Sequence, residues 1–505
     1  MPRQPILSKV RAGPAQQYDA AGRRTQLAAT IGGTADFVTD YAYDNLGRIE
    51  SVSQHGQSGG NAVAEKLVDF LFDAAGQPDA VTRYADLDRN DPVAESDYQF
   101  DRVGRLTDLT HAKGADVLAD HDWLFDVAGR MTQYTNSADG TATYTHDDTD
   151  QLTDAVYDYQ GDEGYVYDDN GNRTNDGYTV GPNNRMTSDG TFTYTYDAEG
   201  NRQTRTRISS DPADDYLTEY EWDHRNRLVN VTFKNNSGQP TKVVEYAYDF
   251  NNRWVRKTLD TDGDGTRETA TVFVPDGNEI ALQFDGPASA DLTAGELSHR
   301  YLHGPAIDQI LADEKVQDLA TPGEVRWTLT DHLNTVRDLA VYDAQSDTTS
   351  IANHLTYDAF GKVTSETDPT VDSLFLFTGQ PFDEDTRLQN NRNRWYDLAN
   401  GRWMSEDPIG FDAGDANLLR YAANRPTYAL DGFGLLTQDG RDAVEFADAH
   451  RLLLIATARD SRKVEAAGFV LEDGKGNLSL LEVRVDHHPN TADKFYRQET
   501  QRQGK

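Results

Sequence analysis

The stretch "TFTYTYDAEGNRQTRT", residues 191–206, carries the pattern that decides the fold. Aromatic residues alternate with threonines over 191–196, which is typical of a β-strand with one apolar face. Asp197 and Gly200 then interrupt the alternation. Aspartate side chains hydrogen-bond the backbone of turns, and glycine adopts the positive φ that other residues resist. The stretch therefore predicts a strand, a tight turn and a returning strand.

The same phrase, an aromatic residue followed by Asp and a Gly- or Asn-containing turn, recurs along the chain. It occurs at Tyr18-Asp19, Tyr43-Asp44, Phe72-Asp73, Phe100-Asp101, Phe125-Asp126, Tyr167-Asp168 and Tyr196-Asp197, more weakly at His146-Asp147, Trp222-Asp223 and Tyr248-Asp249, and late at Tyr357-Asp358. From Asp19 to Asp249 consecutive aspartates are 21 to 29 residues apart, the spacing of stacked supersecondary units. Isolated hairpins are unstable, so the spacing predicts a series that buries a shared core. Aromatic rings at one register are expected to stack between neighbouring repeats.

The composition of the chain excludes several classes of protein and of site. The chain has 505 residues and a formal charge of -37, and such an acidic surface repels nucleic-acid backbones. It contains no cysteine, which excludes disulfides and thiolate metal sites. We find neither a signal peptide in the first residues nor an apolar run of membrane-spanning length. The first repeat begins by residue 18 without a capping domain, which predicts a start inside a larger ancestral gene.

On these repeats, and on the segments that follow them, the chain resembles the RHS/YD-repeat proteins of the polymorphic toxin type. "LTYDAFGKVTSE" (355–366), "FLFTGQPFDEDTRLQNNRNRWYDLANGRWMSEDPIGF" (375–411) and "NLLRYAANRPTYALDGFG" (417–434) resemble the RHS repeat-associated core. The resemblance implies a mainly β fold, with tandem hairpins in a wound β-sheet shell that is hollow and plugged by the core.

The resemblance also implies a division of the chain. Residues 1–260 are expected to form the repeat array, 261–365 further β repeats that lead into the core, and 366–434 the core domain. Residues 435–505 are expected to be a variable tail with a small α/β segment.

Two motifs in the core, "DPIG" at 407–410 and "DGFG" at 431–434, resemble the pair that flanks the self-cleavage point in RHS proteins. The resemblance implies that Asp407 and Asp431 are catalytic and that the bond after Leu435 is cut. The chemistry would be that of an aspartic protease, because two neighbouring carboxylates do not both ionise easily. Gly432 departs from the family pattern, which has proline there. The alternative is that both aspartates only cap turns beside glycines.

A second acidic motif predicts a cation site. Asp260, Asp262 and Asp264 have the D-x-D-x-D-G opening of a calcium loop. Thr271 stands where such a loop needs a bidentate glutamate, and the flanking pattern favours a hairpin. Bound Ca²⁺ and a plain acidic turn therefore both stay open, and no other cofactor is expected.

Basic residues and aromatic residues cluster in "NRNRWYDLANGRWMSEDP", residues 391–408. Such clusters bind nucleic acid in some proteins. The core resemblance instead predicts a packed plug, with Arg392, Arg394 and Arg402 paired to carboxylates.

The tail, residues 435–505, lacks the aromatic–Asp phrase of the repeats. It predicts a helix over about 441–458, then the strands "GFVLED" and "LSLLEVRVD". It faintly resembles the beginning of a JAB-type metallopeptidase domain, in which Glu465 would be the matching acid. The adjacent His487 and His488 cannot present two zinc ligands on one strand face, so a truncated, inactive domain or a plain surface loop is expected.

The resulting functional expectation is a secreted or surface-delivered bacterial shell protein. It would encapsulate a C-terminal effector and release it by self-cleavage, with an immunity protein and secretion machinery as partners. Two alternatives stay open: a non-enzymatic surface or adhesion repeat protein, and an inactive fragment of a larger gene.

Overall fold

The computed structural model describes residues 15–211, 215–290, 292–435, 467–472 and 478–483. These residues form β-strands, turns and short 3₁₀ helices, and no α-helix occurs among them. No helix in this described part is long and apolar enough to cross a membrane.

Residues 15–164 form one antiparallel sheet of 13 strands, each paired with the next along the chain. The strands are β1 (Ala15–Tyr18), β2 (Arg24–Ile31), β3 (Thr34–Tyr43), β4 (Ile49–Gly56), β5 (Lys66–Phe72), β6 (Pro78–Tyr84), β7 (Pro92–Phe100), β8 (Leu106–Lys113), β9 (Asp116–Phe125), β10 (Met131–Asn136), β11 (Gly140–His146), β12 (Leu152–Tyr157) and β13 (Glu163–Gly164). We call this the first sheet.

A second antiparallel sheet has 16 strands, again in sequence order. The strands are β14 (Tyr178–Val180), β15 (Met186–Asp189), β16 (Phe192–Tyr196), β17 (Arg202–Arg207), β18 (Leu217–Trp222), β19 (Leu228–Lys234), β20 (Pro240–Tyr248), β21 (Trp254–Asp260), β22 (Thr269–Asp276), β23 (Glu279–Pro287), β24 (Leu297–His303), β25 (Ile310–Lys315), β26 (Glu324–Thr330), β27 (Val336–Asp343), β28 (Thr348–Tyr357) and β29 (Val363–Glu366).

The core module, which we call the plug (residues 375–435), has little regular structure. Its four-stranded sheet contains β30 (Phe382–Asp383), β31 (Leu388–Asn391), β32 (Arg394–Asp397) and β33 (Arg402–Trp403). Among the described residues, the 3₁₀ helices are Pro182–Asn184, Ala294–Glu296, Phe377–Gly379, Gly410–Ala413 and Ala422–Asn424. In the tail, β34 (Ala467–Glu472) pairs with β35 (Leu478–Val483), as the sequence predicts.

The repeated phrase forms the turn that the sequence predicts. In one copy, Asp101 Oδ1 accepts hydrogen bonds from the backbone N–H groups of Val103 (2.9 Å) and Arg105 (3.0 Å). Gly104 has a φ of 90°, which a side chain would strain. The other carboxylate oxygen accepts from Arg105 Nε at 2.7 Å. The same Asp–Arg pair closes the turns Asp19–Arg23, Asp44–Arg48, Asp126–Arg130, Asp223–Arg227 and Asp249–Arg253.

At the turns the contact differs from the prediction, because the turn arginine lies over the aromatic ring of the next repeat. The pairs are Arg23 over Tyr43 (4.4 Å), Arg48 over Phe72 (4.3 Å), Arg105 over Phe125 (4.9 Å) and Arg227 over Tyr248 (5.0 Å). The guanidinium is already held flat by its own aspartate, so it presents a planar cation to the ring. Ring-on-ring contacts do occur elsewhere between neighbouring strands, as between Trp123 and Tyr134 and between Trp254 and Phe273.

The inner faces of the two sheets touch directly. Near one end, Leu27 and Phe37 of the first sheet pack with Leu282 and Phe284 of the second. Further along, Val68 belongs to a cluster that includes residues of β24 to β27. Along these contacts the side chains of each sheet fill the space next to the other, so no compartment lies between the sheets there.

Strands β25–β27 are buried on both faces, unlike the half-buried strands of the repeats. On one side, Trp327 and Leu329 pack against the first sheet. On the other, Ile310 and Val336 lie in the cluster that contains Trp395 of the plug. These three strands therefore lie between the first sheet and the plug. Elsewhere the plug contacts the first sheet directly, where Tyr428 packs with residues of β10–β12.

Polar side chains also join the two sheets inside this core. Glu314 of β25 contacts Lys66 of β5 and, at 2.9 Å, Arg300 of β24, which in turn contacts Asp36 of β3 at 2.8 Å. The side chains of all four are fully buried. Charges at this depth persist only when paired, so the network fixes the lateral register of the sheets.

A buried histidine provides another link between the sheets. His111 Nδ1 lies 2.7 Å from Ser96 Oγ, and His111 Nε2 lies 3.1 Å from the carbonyl oxygen of Thr330. Burial, together with the positive charge of Arg83, lowers the pKa of His111 to about 3. The imidazole is therefore neutral in the folded protein at neutral pH.

We predict that His111 makes folding sensitive to mild acid. Its pKa in the folded state lies below the unfolded value of about 6.5, so stability is present above that pH and is lost as pH falls toward the folded value. Between pH 7 and pH 5 the loss from this one group is about 2 kcal/mol at most. We expect the melting temperature of His111→Gln to fall less between pH 7 and pH 5 than that of the wild type. His224→Gln, at an exposed histidine, serves as the control; an equal loss in His111→Gln and wild type would contradict the account.

Candidate functional site

The plug brings the two predicted catalytic aspartates together around one arginine. Arg394 opens β32, directly after the two-residue turn that joins it to β31. Its Nη2 lies 2.9 Å from Asp407 Oδ2 and 2.8 Å from Asp431 Oδ2. The exposed fraction of Arg394 is 2%, and that of each aspartate is 5%. The arginine is also stacked on Trp403, with Cζ 4.1 Å from the ring centroid.

Each aspartate also caps a turn with its second oxygen. Asp407 Oδ1 accepts from the backbone N–H of Ile409 at 3.0 Å, and Asp431 Oδ1 accepts from that of Leu435 at 2.8 Å. The capping role and the pairing of the two carboxylates are therefore both present, and neither excludes the other.

Burial governs the electrostatics of this site. It raises the pKa of Asp431 above its usual range, and the neighbouring charge of Asp407 adds to the rise, although Arg394 opposes it. Burial likewise lowers the pKa of the Arg394 guanidinium. A carboxyl with a raised pKa next to a second carboxylate is the arrangement in which one group donates a proton and the other accepts one. The buried guanidinium is placed to stabilise negative charge on an oxygen.

The chain leading to the predicted cut passes through this site. Arg394 Nε donates to the carbonyl oxygen of Gly434 at 2.6 Å, while the N–H of Leu435 donates to Asp431. The Gly434–Leu435 peptide is thus held at both polar atoms. The bond predicted to be cut, after Leu435, is the next peptide along the chain, and Leu436 lies outside the described residues.

The glycine that departs from the family pattern lies against another buried acid. A Cβ on Gly432 would lie 2.6 Å from Asp308 Oδ2. Asp308 is hydrogen-bonded by Gln380 and Arg392, so it has little freedom to move away. Burial raises the pKa of Asp308 to about 7, although Arg392 opposes the shift. The position of Asp308 in this site is not predictable from sequence, because Asp308 and Gln380 are 72 residues apart.

The acidic motif over 260–268 forms a hydrogen-bonded turn in which Asp260, Asp262, Asp264 and Glu268 each offer an oxygen within 4.8 Å of the others. Glu268, three residues before the position where a calcium loop has its bidentate glutamate, is one of the four. Asp260 is buried and accepts from the N–H groups of Gly263 and Gly265, at 2.7 and 2.9 Å. The arrangement fits both alternatives, and the calcium site stays a prediction.

Of the three arginines that the packed-plug interpretation concerns, Arg394 and Arg402 are buried and Arg392 is partly buried. Arg392 pairs with Asp308 and Glu279, and Arg394 with the two aspartates. Arg402 is the exception, because its side chain donates to Asn172 and to a backbone carbonyl rather than to a carboxylate. The predicted tail helix, Glu465, His487 and His488 lie outside the described residues.

Comparisons with known proteins agree with this architecture. The family model described as "Teneurin YD-shell" matches residues 318–428, which span the end of the second sheet and most of the plug. The chain is 30% identical over 263 residues to the toxin protein Tse5 of Pseudomonas aeruginosa, an alignment that covers 48% of the chain and 19% of Tse5. It is 24% identical over 429 residues to the probable deoxyribonuclease RhsA of Dickeya dadantii, covering 83% of the chain and 24% of RhsA.

The chain is an RHS/YD-repeat protein. A crystal structure of TcdB2-TccC3-Cdc42 has a similar fold, with a TM-score of 0.59 and 18% identity over 86% of this chain and 22% of that one. This RHS/YD-repeat chain spans about a quarter or less of the length of each of these relatives.

We predict that Gly432→Ala destabilises the plug. The added methyl group would displace the Asp308 carboxylate from Gln380 and Arg392, at a cost of about 1–3 kcal/mol. Thermal unfolding of the wild type, Gly432→Ala, Asp308→Ala and the double variant measures the coupling. We expect Gly432→Ala to cost less in the Asp308→Ala background; equal costs in both backgrounds would show that the close approach is unimportant.

Proposed function

We propose that this protein is an RHS carrier whose plug cuts its own chain after Leu435 and so releases the C-terminal segment as an effector. The observation that carries the proposal is the buried pair Asp407 and Asp431 on the single guanidinium of Arg394. A structural turn would need only the capping bonds. It would not need two carboxylates directed at one buried cation.

In the proposed reaction Asp407 is the base and Asp431 the acid. Asp407 takes a proton from water, whose oxygen bonds to the carbonyl carbon of Leu435. The carbon–nitrogen bond to Leu436 then breaks, and Asp431 supplies a proton to the leaving amine. Arg394 stabilises the negative oxygen of the intermediate. Because the site and the bond belong to one folded unit, the attack is effectively unimolecular.

The names of the relatives support delivery of an effector. Tse5 is a toxin, RhsA is a probable deoxyribonuclease, and a further relative is the double-stranded DNA deaminase toxin A of Burkholderia cenocepacia, 27% identical over 288 residues. We propose that residues 436–505 are the effector of this protein. We further propose that the effector is delivered outside the producing cell and that an immunity protein protects that cell.

Direct contact between the sheets restricts how the effector could be carried. Side chains of β2 and β3 touch those of β22–β24, so these parts of the two sheets leave no space between them for an effector. The described chain leaves the plug at Leu435. We therefore propose that an enclosed effector extends from the plug into a space that a partner protein helps to enclose.

We predict that the purified wild type separates into the body and a fragment that begins at Leu436. Asp407→Asn and Asp431→Asn should each lower the rate of fragment formation by at least about 100-fold, because each removes a proton-transfer group. Denaturing gels and intact mass spectrometry over a time course measure this, and the mass distinguishes a cut after Leu435 from one after Gly434.

Asp412→Asn is the matched control, since Asp412 is exposed in the 3₁₀ helix Gly410–Ala413 that follows Asp407. It should cut like the wild type, and all variants should melt as cooperative proteins. A wild type that stays in one piece would contradict the proposal and would favour a non-enzymatic surface or adhesion protein.

A further inference from the structure

Four consecutive side chains of the plug bind four consecutive carbonyl oxygens just before the proposed cut. Asn391 Nδ2 donates to Asp431 O (2.9 Å), Arg392 Nη1 to Gly432 O (2.7 Å), Asn393 Nδ2 to Phe433 O (2.9 Å) and Arg394 Nε to Gly434 O (2.6 Å). Each pair is separated by 40 residues, so the two segments lie side by side in one register.

The backbone of the binding turn is under strain. Arg392 has a φ of 59° in the two-residue turn between β31 and β32, a conformation that usually selects glycine. Such conformations persist at sites where the surroundings demand them. Here Arg392 Nη2 contacts Asp308 and, at 2.9 Å, Glu279, while Nη1 reaches Gly432 O. The strained position directs the guanidinium onto the segment.

The bound segment fits the turn closely. A Cβ on Gly434 would lie 2.8 Å from Asn391 O and 3.1 Å from Arg394 N, and its φ is 62°. Gln380 adds a second donor to Gly432 O, at 3.2 Å. Gln389 orients Asn391 by donating to its side-chain oxygen at 2.9 Å. These contacts recognise backbone atoms and fix the segment along its length.

We propose that residues 391–394 form a carbonyl clamp that positions the peptide after Leu435 for cleavage, with Asn391, Arg392 and Asn393 as positioning residues. The proposal rests on the self-cleavage proposed above. A slip of one residue would move a different peptide to Asp407 and Asp431, so the clamp sets which bond is cut. Asn391 and Asn393 touch neither of these carboxylates through the bonds described above, and act through the segment.

The test uses the full chain with Asn391→Asp and Asn393→Asp combined. Each change keeps the shape of the side chain but replaces the donor with a carboxylate oxygen that repels the carbonyl. Asn390→Asp is the matched control: Asn390 is also buried in β31, but its Nδ2 has no hydrogen-bond partner in the described structure. Its Oδ1 accepts from Arg392 N, a bond that aspartate keeps.

Two measurements are made on each protein. Hydrogen exchange followed by mass spectrometry reports protection of the amides of Gly434 and Leu435, whose hydrogen bonds to Asp431 depend on the clamped conformation. A cleavage time course with intact mass reports the rate and position of the cut. We expect the double variant to exchange at least about 10-fold faster at these amides, and to cut at least about 10-fold more slowly or at a neighbouring bond, with the control like the wild type.

The two measurements separate the clamp from the proposed function. Unchanged exchange in the double variant would overturn the clamp. Faster exchange with an unchanged rate and position of cleavage would overturn its positioning role. An uncut wild type would overturn that role together with the proposed self-cleavage, while the exchange result would still decide whether the turn binds the segment. A double variant that melts earlier than Asn390→Asp throughout the body would also count against a local role.

Discussion

Burial of strands β25–β27 on both faces is the constraint on which the rest of the structure depends. These strands lie between the first sheet and the plug, so they fix the position of both. The repeated Asp–Gly turn makes such long sheets possible by setting the register of each hairpin. At β25–β27, burial on both faces replaces the half-buried pattern of the repeats, and these strands support the plug. The plug, with few strands of its own, takes its shape from this support.

Charge burial in the plug follows from the same packing. Asp407 and Asp431 share one guanidinium, so a single cation faces two carboxylates in a region with little water. Removal of these groups from water is costly, and one arginine alone does not offset the cost for both. The backbone N–H groups of Ile409 and Leu435 supply further donors. The raised pKa of Asp431 reflects the part of the cost that stays unbalanced. That imbalance favours the protonated form of the proposed acid.

The sequence predicts local features well and distant contacts poorly. The turn at Asp101 is predictable because its hydrogen bonds lie within four residues. The stacking of Arg105 on Phe125 is not predictable in the same way, because the repeated motif does not show which side chain of one turn faces the next repeat. In the site, the aspartates came from family resemblance, whereas the bridging role of Arg394 did not, since it joins β32 to a turn 37 residues later. The clamp is not predictable either, because its contacts join residues 40 apart and its acceptors are backbone carbonyls, which every residue has.

The central claim is that a buried site in the plug cuts only the chain to which it belongs. Mixing purified wild-type protein with a size-tagged Asp407→Asn chain tests this most directly. The account predicts that the tagged chain stays intact at every ratio and concentration, because its own bond is held beside its own defective site. Cleavage of the tagged chain by the wild type, at a rate that rises with concentration, would contradict the account.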